Sequence, residues 1–372
     1  MKRIFLASAA MVSIAALATP AAAQRAGDKI ENSYICVFKA REVSRGQAQA
    51  EANRAAQSVG ARVNHVYSVA IRGFSADLPP QAVERLKANN PNIDYCEQDQ
   101  IVTHGPIQAA AAPQVGIQST QETPWGIARV GGGAASTAGF GTAWVIDSGI
   151  DLTHPDLRVD RTRSRSFIRD SSPQDQNGHG THVAGTIAAL DNTIGVIGVA
   201  PGAPVVAVRV LDRRGSGSNS GVIAGVDFVA ANGRPGDVAN MSLGGGISTA
   251  LDTAVVNAAA GGVVFALAAG NESTNAINSS PGRANGPNVY TVSAFSNGDR
   301  WASFSNFGNP PIDYAEPGVA IKSTWLNGGY NTISGTSMAT PHLAGLVLQK
   351  SIRSGGTVSG DPAAPADTIG IR

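Results

Sequence analysis

The chain has 372 residues, which is enough for one large domain and a smaller one. Charged residues make up 15% of it and the formal net charge is +1, so the sequence offers no concentrated basic surface. Nucleic acids and anionic membranes both require such a surface, and we therefore expect neither as a partner. The 44 glycines indicate a globular protein with many tight turns.

Residues 1–23 have the pattern of a secretory signal peptide. A basic start, Met1–Arg3, precedes an apolar run from Phe5 to Ala18, and small residues follow up to Ala23. This pattern predicts cleavage before Gln24. The apolar run is too short to span a bilayer easily, and no other stretch approaches that length. We therefore expect a secreted protein, extracellular or periplasmic, without a membrane anchor.

Residues 24–103 predict a small α+β unit with the element order β-α-β-β-α-β, as in ferredoxin-like folds. The predicted elements are, in that order, Tyr34–Phe38, Gln47–Val59, Val63–Ile71, Gly73–Ala76, Pro79–Ala88 and Ile93–Cys96. In this fold the first and last strands are neighbours, and the chain's two cysteines, Cys36 and Cys96, lie on them. An exported protein permits a disulfide between them, but two separate thiols are an equally open interpretation.

Residues 104–123 contain almost no large apolar side chain and include an alanine run that ends at Pro113. This composition predicts a linker. Exposed linkers between folded units are the segments that proteases cut most readily, so we expect a processing site here.

Residues 124–354 alternate short apolar runs with helical segments. The runs are Thr142–Ile146, Val205–Leu211, Val238–Met241, Val263–Ala268 and Val289–Ser293, and the helical segments are Gly180–Leu190, Gly221–Ala231, Thr249–Gly261 and Ser337–Ile352. Strands that are apolar throughout belong to a sheet covered on both faces. The pattern therefore predicts a three-layer α/β domain with a mostly parallel sheet. The remaining residues, 355–372, are rich in Gly, Pro and Ala and predict a flexible tail.

Three polar residues occupy the places where such sheets collect their functional groups, namely strand ends and helix starts. Asp147 follows a strand, His179 opens a helix and Ser337 lies near the start of another. A serine hydroxyl becomes a good nucleophile when an imidazole takes its proton and a carboxylate orients that imidazole. The backbone N–H of Ser337 and the amide of Asn271 could stabilise the resulting oxyanion.

Five segments in this order resemble the subtilisin-like serine proteases, particularly the proteinase K-like branch. They are Asp147–Gly149 (DSG), His179–Gly185 (HGTHVAG), Asn240–Gly245 (NMSLGG), Ala268–Asn271 (AAGN) and Gly335–His342 (GTSMATPH). The resemblance extends from Trp125 to about Leu348, and residues 34–102 resemble the family's inhibitory propeptide. It implies a subtilisin-like fold, a triad of Asp147, His179 and Ser337, and Asn271 as oxyanion donor.

The resemblance also implies how polypeptide substrates bind, as a strand added between two backbone segments. One segment is Gly215, Ser216 and Gly217, the other is Ser242, Leu243 and Gly244, and the pocket for the residue before the cut is lined by Ala268, Ala269 and Gly270. No acidic residue stands in these segments, so we expect apolar or aromatic side chains in the pocket rather than a strict Arg/Lys preference.

A structural calcium ion is implied in the same way. Its ligands would be the carbonyl oxygens of Pro287 and Val289 and the carboxylate of Asp313, a donor set that suits Ca²⁺. One extra residue near Pro310 and Pro311 shifts the alignment at this point. No catalytic cofactor is expected.

Other interpretations of the same residues are a metal-dependent hydrolase and an inactive binding module. His179 and His182 could form a metal pair, but a third ligand and the glutamate of zinc hydrolases are missing. We expect His182, His154 and His342 to be structural. Since every group of the triad is present, we predict a monomeric serine endopeptidase. Its propeptide would inhibit it until the enzyme processes itself.

Overall fold

The computed structural model describes residues 25–109, 113, 116, 118–136 and 139–372. The predicted signal peptide and most of the alanine run of the linker lie outside the described residues. Within these ranges, no helix combines the length and the apolar character that crossing a membrane would require.

The N-terminal unit has the predicted element order. Its elements are β1 (Lys29–Phe38), α1 (Ala48–Ser58), β2 (Arg62–Tyr67), β3 (Gly73–Asp77), α2 (Pro80–Asn89) and β4 (Ile93–Thr103). The strands form an antiparallel sheet in the order β4-β1-β3-β2. One face of this sheet packs on α1 and α2, and the other contributes Ile35, Val37 and Tyr67 to the core of the larger unit.

The two cysteines are joined in the structure. Cys36 lies directly opposite Cys96 in the pairing of β1 with β4, and their sulfur atoms are bonded. The interpretation as two separate thiols is therefore wrong.

Two strands of this unit end at other positions than the sequence predicted. β2 stops at Tyr67 instead of Ile71, because the next backbone N–H groups donate to a carboxylate of the larger unit. β4 continues beyond Cys96 to Thr103, because the larger unit supplies backbone partners on both of its edges.

The larger unit is the predicted three-layer α/β domain. Its elements are β5 (Gln108–Ala109), α3 (Trp125–Arg129), β6 (Ala143–Asp147), β7 (Arg165–Ser166), α4 (His179–Ala188), β8 (Val205–Arg209), β9 (Ser216–Ser218), α5 (Asn219–Asn232), β10 (Val238–Met241), β11 (Gly244–Gly245), α6 (Thr249–Ala259), β12 (Val264–Ala268), β13 (Val289–Ser296), β14 (Arg300–Trp301), β15 (Ile312–Pro317), β16 (Ile321–Thr324), β17 (Tyr330–Ser334), α7 (Thr336–Leu348), β18 (Arg353–Thr357) and β19 (Thr368–Ile371).

The central sheet is parallel in the order β15-β13-β12-β10-β6-β8-β7. Its side chains are buried on both faces, as in β6, where Trp144 packs toward α5 and α6 and Val145 toward α4 and α7. Apolar residues at consecutive positions are thus required by the layers on either side.

The C-terminal segment is not the flexible tail that its composition indicated. β19 pairs in parallel with β15, and β18 pairs antiparallel with β19. The segment also contacts the start of the domain: the N–H of Arg372 donates to the Val130 carbonyl at 2.9 Å, and the Arg129 guanidinium donates to the Gly355 carbonyl at 3.1 Å. Short apolar stretches between the glycines and prolines provide the packing that composition alone did not reveal.

Candidate active site

The three predicted catalytic residues meet at the carboxyl edge of the central sheet. Asp147 is the last residue of β6, His179 the first of α4 and Ser337 the second of α7. Nδ1 of His179 lies 2.9 Å from both carboxylate oxygens of Asp147. Because those oxygens can only accept, Nδ1 carries the hydrogen and Nε2 keeps a free lone pair, as a general base requires.

The hydroxyl of Ser337 is turned away from this base. Its Oγ donates to the Ser242 carbonyl at 3.3 Å. Nε2 of His179 is buried and has no hydrogen-bond partner in the described part of the chain. His179 and Ser337 thus line the same small cavity without a hydrogen bond between their side chains.

A second histidine, His104, covers the base. Its ring stacks on that of His179 with centroids 4.3 Å apart and planes 13° apart. Burial, together with the neighbouring imidazole, lowers the pKa of His104 to about 4. No motif in the sequence singles out this linker residue, because its position at the site depends on the path of β4.

β4 brings His104 to this position because it runs as a strand between the two predicted substrate segments. Thr103 lies opposite Ser216 of β9 on one side and Gly244 of β11 on the other. The N–H of His104 then donates to the Gly215 carbonyl at 3.3 Å. The remaining residues of the two segments fall alongside: Gly217 pairs with Val102, Leu243 lines the adjacent pocket, and Ser242 lies beside Ser337.

A cavity of about 270 Å³ lies next to Ser337, where the sequence predicted a substrate pocket. Ala268 and Gly270 line it. Ala269 does not, because its side chain is buried in a small cluster with Ala276 and Ile312. The cavity also differs from the uncharged pocket that the sequence predicted, since Glu272 contributes to its lining. Its carboxylate accepts from Nδ2 of Asn306 at 2.7 Å and is exposed.

The side-chain amide of Asn271 is held in one orientation by Thr336. Its Oδ1 accepts the N–H of Thr336 at 2.8 Å and the Thr336 hydroxyl at 2.9 Å. The carbonyl end of the amide is thereby held, and Nδ2 is left for a ligand. The N–H of Ser337, in the first turn of α7, is free of intrahelical partners and can add a second donor.

Asp175 supports the base from behind, and the sequence did not single it out. It is almost fully buried, and its carboxylate accepts five hydrogen bonds around the start of α4. The donors are Ser148 Oγ, the N–H groups of Asn177, Gly178 and Thr181, and Thr181 Oγ1, at 2.6–3.0 Å. Burial raises the pKa of Asp175, while the five donors favour its charged form. This network fixes the turn from which His179 projects.

His179 and His182 do not form a metal pair. Nε2 of His182 lies 3.0 Å from the Ile321 carbonyl, and burial lowers the pKa of this histidine to about 3. The other two histidines that we expected to be structural also contact backbone carbonyls. Nε2 of His154 lies 3.0 Å from the Gly329 oxygen, and Nδ1 of His342 lies 2.9 Å from the Met338 oxygen.

Two carboxylates of the N-terminal unit lie at the starts of helices in the larger one. Glu97 accepts from the Ser248 hydroxyl and from the N–H of Thr249 at the beginning of α6. Asp99 accepts from the N–H and hydroxyl of Ser220 in the first turn of α5. Unpaired N–H groups and the helix dipole both favour a negative charge at these positions.

One carboxylate of the larger unit in turn accepts hydrogen bonds from the N-terminal unit. Asp227 in α5 accepts the backbone N–H groups of Ser68, Val69 and Ala70 at 2.7–3.1 Å. The turn between β2 and β3 is thus bound to the same helix whose start holds Asp99. The larger unit therefore forms hydrogen bonds with both edge strands of the N-terminal sheet, with β4 through Asp99 and with the end of β2 through Asp227.

The residues expected to hold calcium lie near one another. Pro287 and Val289 flank Asn288, whose φ of 63° makes a turn before β13. Asp313 of the neighbouring strand β15 accepts the N–H of Thr291 at 2.8 Å and has an exposed side chain. Two carbonyls around a turn and one accessible carboxylate are hard oxygen donors that fit Ca²⁺.

Comparisons with known proteins give results for both units. The model of the "Subtilase family" matches residues 144–352, and that of "Peptidase inhibitor I9" matches residues 27–104. Alkaline serine exoprotease A of Vibrio alginolyticus is 42% identical over 334 residues, which are 85% of this chain and 60% of that protein. Proteinase R of Parengyodontium album is 38% identical over 334 residues, which are 86% of this chain and 79% of that protein.

A solved structure is also similar to this chain in sequence and in fold. The crystal structure of a cold adapted subtilisin-like serine proteinase is 43% identical, covers 66% of this chain and 96% of that one, and superposes with a TM-score of 0.58. The match to the subtilase family includes Asp147, His179 and Ser337. The chain belongs to the subtilase family of serine peptidases and carries an inhibitor-type unit at its N-terminal side.

Proposed function

We propose that this protein is a secreted endopeptidase that hydrolyses polypeptides through Asp147, His179 and Ser337 by way of an acyl-enzyme. The observation that carries the proposal is the strand β4, which lies between the two backbone segments as a substrate would. It leads directly to the catalytic residues. A groove that accepts an extended chain in this way suits cleavage within polypeptides.

The reaction follows from the positions of the side chains. Ser337 Oγ turns from the Ser242 carbonyl to His179, gives its proton to Nε2 and attacks the substrate carbonyl. The oxyanion is stabilised by Asn271 Nδ2 and the N–H of Ser337, and one such side-chain donor contributes on the order of 10²–10³ in turnover. His179 then protonates the leaving amine, while Asp147 stabilises the imidazolium. Water then attacks the acyl-enzyme while His179 takes its proton. The acid product leaves as His179 returns that proton to Ser337 Oγ.

Specificity follows from the cavity beside Ser337. A volume of about 270 Å³ lined by Leu243, Ala268 and glycines accommodates an apolar or aromatic side chain. The exposed carboxylate of Glu272 adds a charge that a long basic side chain could reach. We therefore expect broad specificity that favours apolar and aromatic residues before the cut.

The N-terminal unit acts as an intramolecular inhibitor of this site. Its last strand fills the substrate groove, and its carboxylates Glu97 and Asp99 bind the helices beside that groove. We infer a monomeric zymogen with residues 24–103 as propeptide and a catalytic domain that begins at residue 124 and includes the C-terminal strands β18 and β19. It is exported with the signal peptide of residues 1–23 and matures by a cut in the linker.

The proposal is tested by Ser337→Ala, with Ser354→Ala as an exposed matched control. Losing the nucleophile is expected to lower turnover by roughly 10⁶ and to leave the precursor unprocessed. The measurements are hydrolysis of a casein substrate, labelling by a serine-directed sulfonyl fluoride, and N-terminal sequencing of the secreted protein. Undiminished proteolysis in Ser337→Ala would refute the assignment, and a mature protein that begins at Gln24 would refute removal of the propeptide.

Calcium is proposed as a structural ion held by Pro287, Val289 and Asp313. An ion that binds only the folded state stabilises it by about 2.7 kcal/mol at a hundred times its Kd. Removing calcium is therefore expected to lower the unfolding temperature of the Ser337→Ala precursor, whereas Asp313→Asn should unfold at the same temperature with or without the ion. An equal response of both proteins to a chelator would contradict this ligand set.

A further inference from the structure

One fully buried carboxyl group of the larger unit takes no part in the site described above. Glu316 lies in β15, and its side chain has no exposed surface. Neither of its carboxyl oxygens has a hydrogen-bond partner among the residues that the structure describes. An ionised carboxylate without partners is far more costly to bury than a neutral carboxyl group, so Glu316 keeps its proton in this state.

The C-terminal strand β19 covers this carboxyl group. β15 and β19 pair in parallel, with Ala315 opposite Ile369. The next residue of β19, Gly370, passes so close to Oε1 of Glu316 that a Cβ on Gly370 would overlap with this oxygen. The same Cβ would lie 3.5 Å from Leu346 of α7. Glu316 is therefore enclosed where β15, β19 and α7 meet.

The Arg129 guanidinium attracts Glu316 but is engaged by other groups. It donates to Asp299 at 2.7 and 2.9 Å and to the Gly355 carbonyl at 3.1 Å. Burial raises the pKa of Glu316, and the charge of Arg129 offsets only part of this rise. Other titratable residues on the surrounding strands and helices are Tyr290, Asp313, Tyr314 and His342, with Asp367 and Arg372 at the ends of β19.

The histidine among these residues adds no positive charge at neutral pH. Burial lowers the pKa of His342 to about 4, and its Nδ1 lies 2.9 Å from the Met338 carbonyl oxygen. Burial also raises the pKa of Tyr314, which therefore stays neutral. The surroundings of Glu316 thus favour its neutral form as long as β19 is docked.

We propose that Glu316 is a pH-sensitive latch for the C-terminal strands. β18 and β19 stay docked while its carboxyl group is neutral, and loss of the proton to solvent releases them. In the open state water surrounds the carboxylate, and Arg129 has lost its hydrogen bond to Gly355. This inference concerns the stability of the catalytic unit and does not depend on the proposed peptidase function.

The direction of the pH dependence follows from the burial of Glu316. An exposed glutamate has a pKa of about 4.3, whereas docked β19 keeps Glu316 protonated to higher pH. Because the open state binds fewer protons in this range, the docked state loses stability as the pH rises. The opening constant should rise about tenfold for each pH unit, until the pKa of the docked state is reached.

The latch lies close to a contact of the catalytic helix. Gly318 follows Glu316 by two residues, and its carbonyl accepts the N–H of Gly335 at 2.8 Å. Gly335 directly precedes α7, whose second residue is Ser337. Release of β19 therefore removes the outer neighbour of the strand that leads to this contact.

The test uses the full-length precursor with Ser337→Ala (the parent), alone and with Glu316→Gln or Asp170→Asn. Glu316→Gln keeps the shape of the side chain but cannot ionise, and Glu316→Ala replaces it if the amide disturbs folding. Asp170→Asn is the matched control, because Asp170 is an exposed carboxylate and asparagine tolerates its φ of 53°. Hydrogen exchange is measured from pH 5 to pH 9.

The parent is expected to open more readily than Glu316→Gln as the pH rises. Relative to Glu316→Gln at the same pH, exchange of residues 353–371 in the parent should accelerate about tenfold for each pH unit, up to the pKa of the docked state. Asp170→Asn should follow the parent. Denaturant unfolding is a second measurement, in which the parent should lose more stability than Glu316→Gln between pH 5 and pH 9.

Two results would overturn the inference. Parallel pH profiles of the parent and Glu316→Gln, in exchange and in unfolding, would show that the proton of Glu316 does not hold the strands. Equal protection of residues 353–371 and of helix α5 in the parent would show that the strands open only when the whole unit unfolds. Lower protection of the strands than of α5 is the expected result.

Discussion

His104 connects the protonation of one side chain to the closure of the groove. Its ring faces His179, Asp147 and Asn177, and its Nδ1 lies 2.6 Å from the Gly105 carbonyl. In the closed state its pKa is lowered to about 4, whereas an exposed histidine titrates near 6.5. The released segment therefore binds more protons between these values, and the closed state loses stability as the pH falls through this range.

The predicted effect of this residue is measurable by hydrogen exchange. From the two pKa values alone, the ratio of the open to the closed population should rise about 20-fold between pH 7 and pH 5. In a Ser337→Ala precursor, exchange of residues 101–109 should accelerate by that factor relative to the same precursor with His104→Gln. Because both proteins are compared at the same pH, intrinsic exchange rates cancel, and parallel pH profiles would contradict the prediction.

The sequence predicted those site residues that carry their own local signal. Asp147, His179 and Ser337 each stand at a strand end or helix start within a glycine-rich segment. His104, Asp175 and Glu272 have no such signal. The first depends on the path of β4, the second on a hydrogen-bond network around α4, and the third on the direction of an exposed side chain. Ala269 was misplaced for a related reason, since neighbouring residues on a strand end point to opposite sides.

Among the elements, β4 combines two tasks. Its first half is joined to β1 by the disulfide between Cys36 and Cys96, and its second half lies between β9 and β11, in the groove proposed for substrates. Anything that holds β1 and β4 together therefore also keeps the inhibitory strand in position.

Removing the disulfide is expected to loosen this arrangement. The bridge closes a segment of 60 residues, and the loss of chain entropy in the unfolded state corresponds to about 4 kcal/mol. In the Ser337→Ala precursor, the double change Cys36→Ala and Cys96→Ala should accelerate hydrogen exchange of Lys29–Phe38. Reductant should have the same effect on the precursor that keeps its cysteines. Equal protection with and without the bridge would show that β1 is held by its pairing alone.

The element order of the N-terminal unit was predictable because each element has its own pattern of apolar residues. The extension of β4 to Thr103 was not, since the backbone partners of residues 101–103 belong to β9 and β11. The apolar pattern of a strand indicates which of its faces is buried, but it does not identify the strands of another unit that pair with its backbone.

At the scale of the whole molecule, the C-terminal segment closes one edge of the central sheet. Val358 and Ile369 are buried in a cluster with Phe295 and Ala315. The segment was predicted to be flexible because Gly, Pro and Ala dominate its composition. The few apolar residues among them are sufficient to fix it, and their contacts lie far away in the sequence.

We expect Ile369→Ala to lower the free energy of unfolding by about 2–5 kcal/mol, as for other fully buried aliphatic residues. Ile247→Ala is the matched control, since Ile247 is half exposed and should change stability little. Denaturant unfolding of both variants in the Ser337→Ala background provides the measurement. Equal midpoints would show that β19 contributes nothing to the fold.

The hydrogen bonds from Arg372 to Val130 and from Arg129 to Gly355 place the two ends of the catalytic unit side by side. Pro124 is separated from Val130 only by the short helix α3, at about 1.5 Å per residue. A short peptide could therefore join residue 372 to residue 124, and the catalytic unit could be reopened at a surface turn as a circular permutant. Its N-terminal inhibitor would then be an independent chain, and inhibition would become an ordinary binding equilibrium.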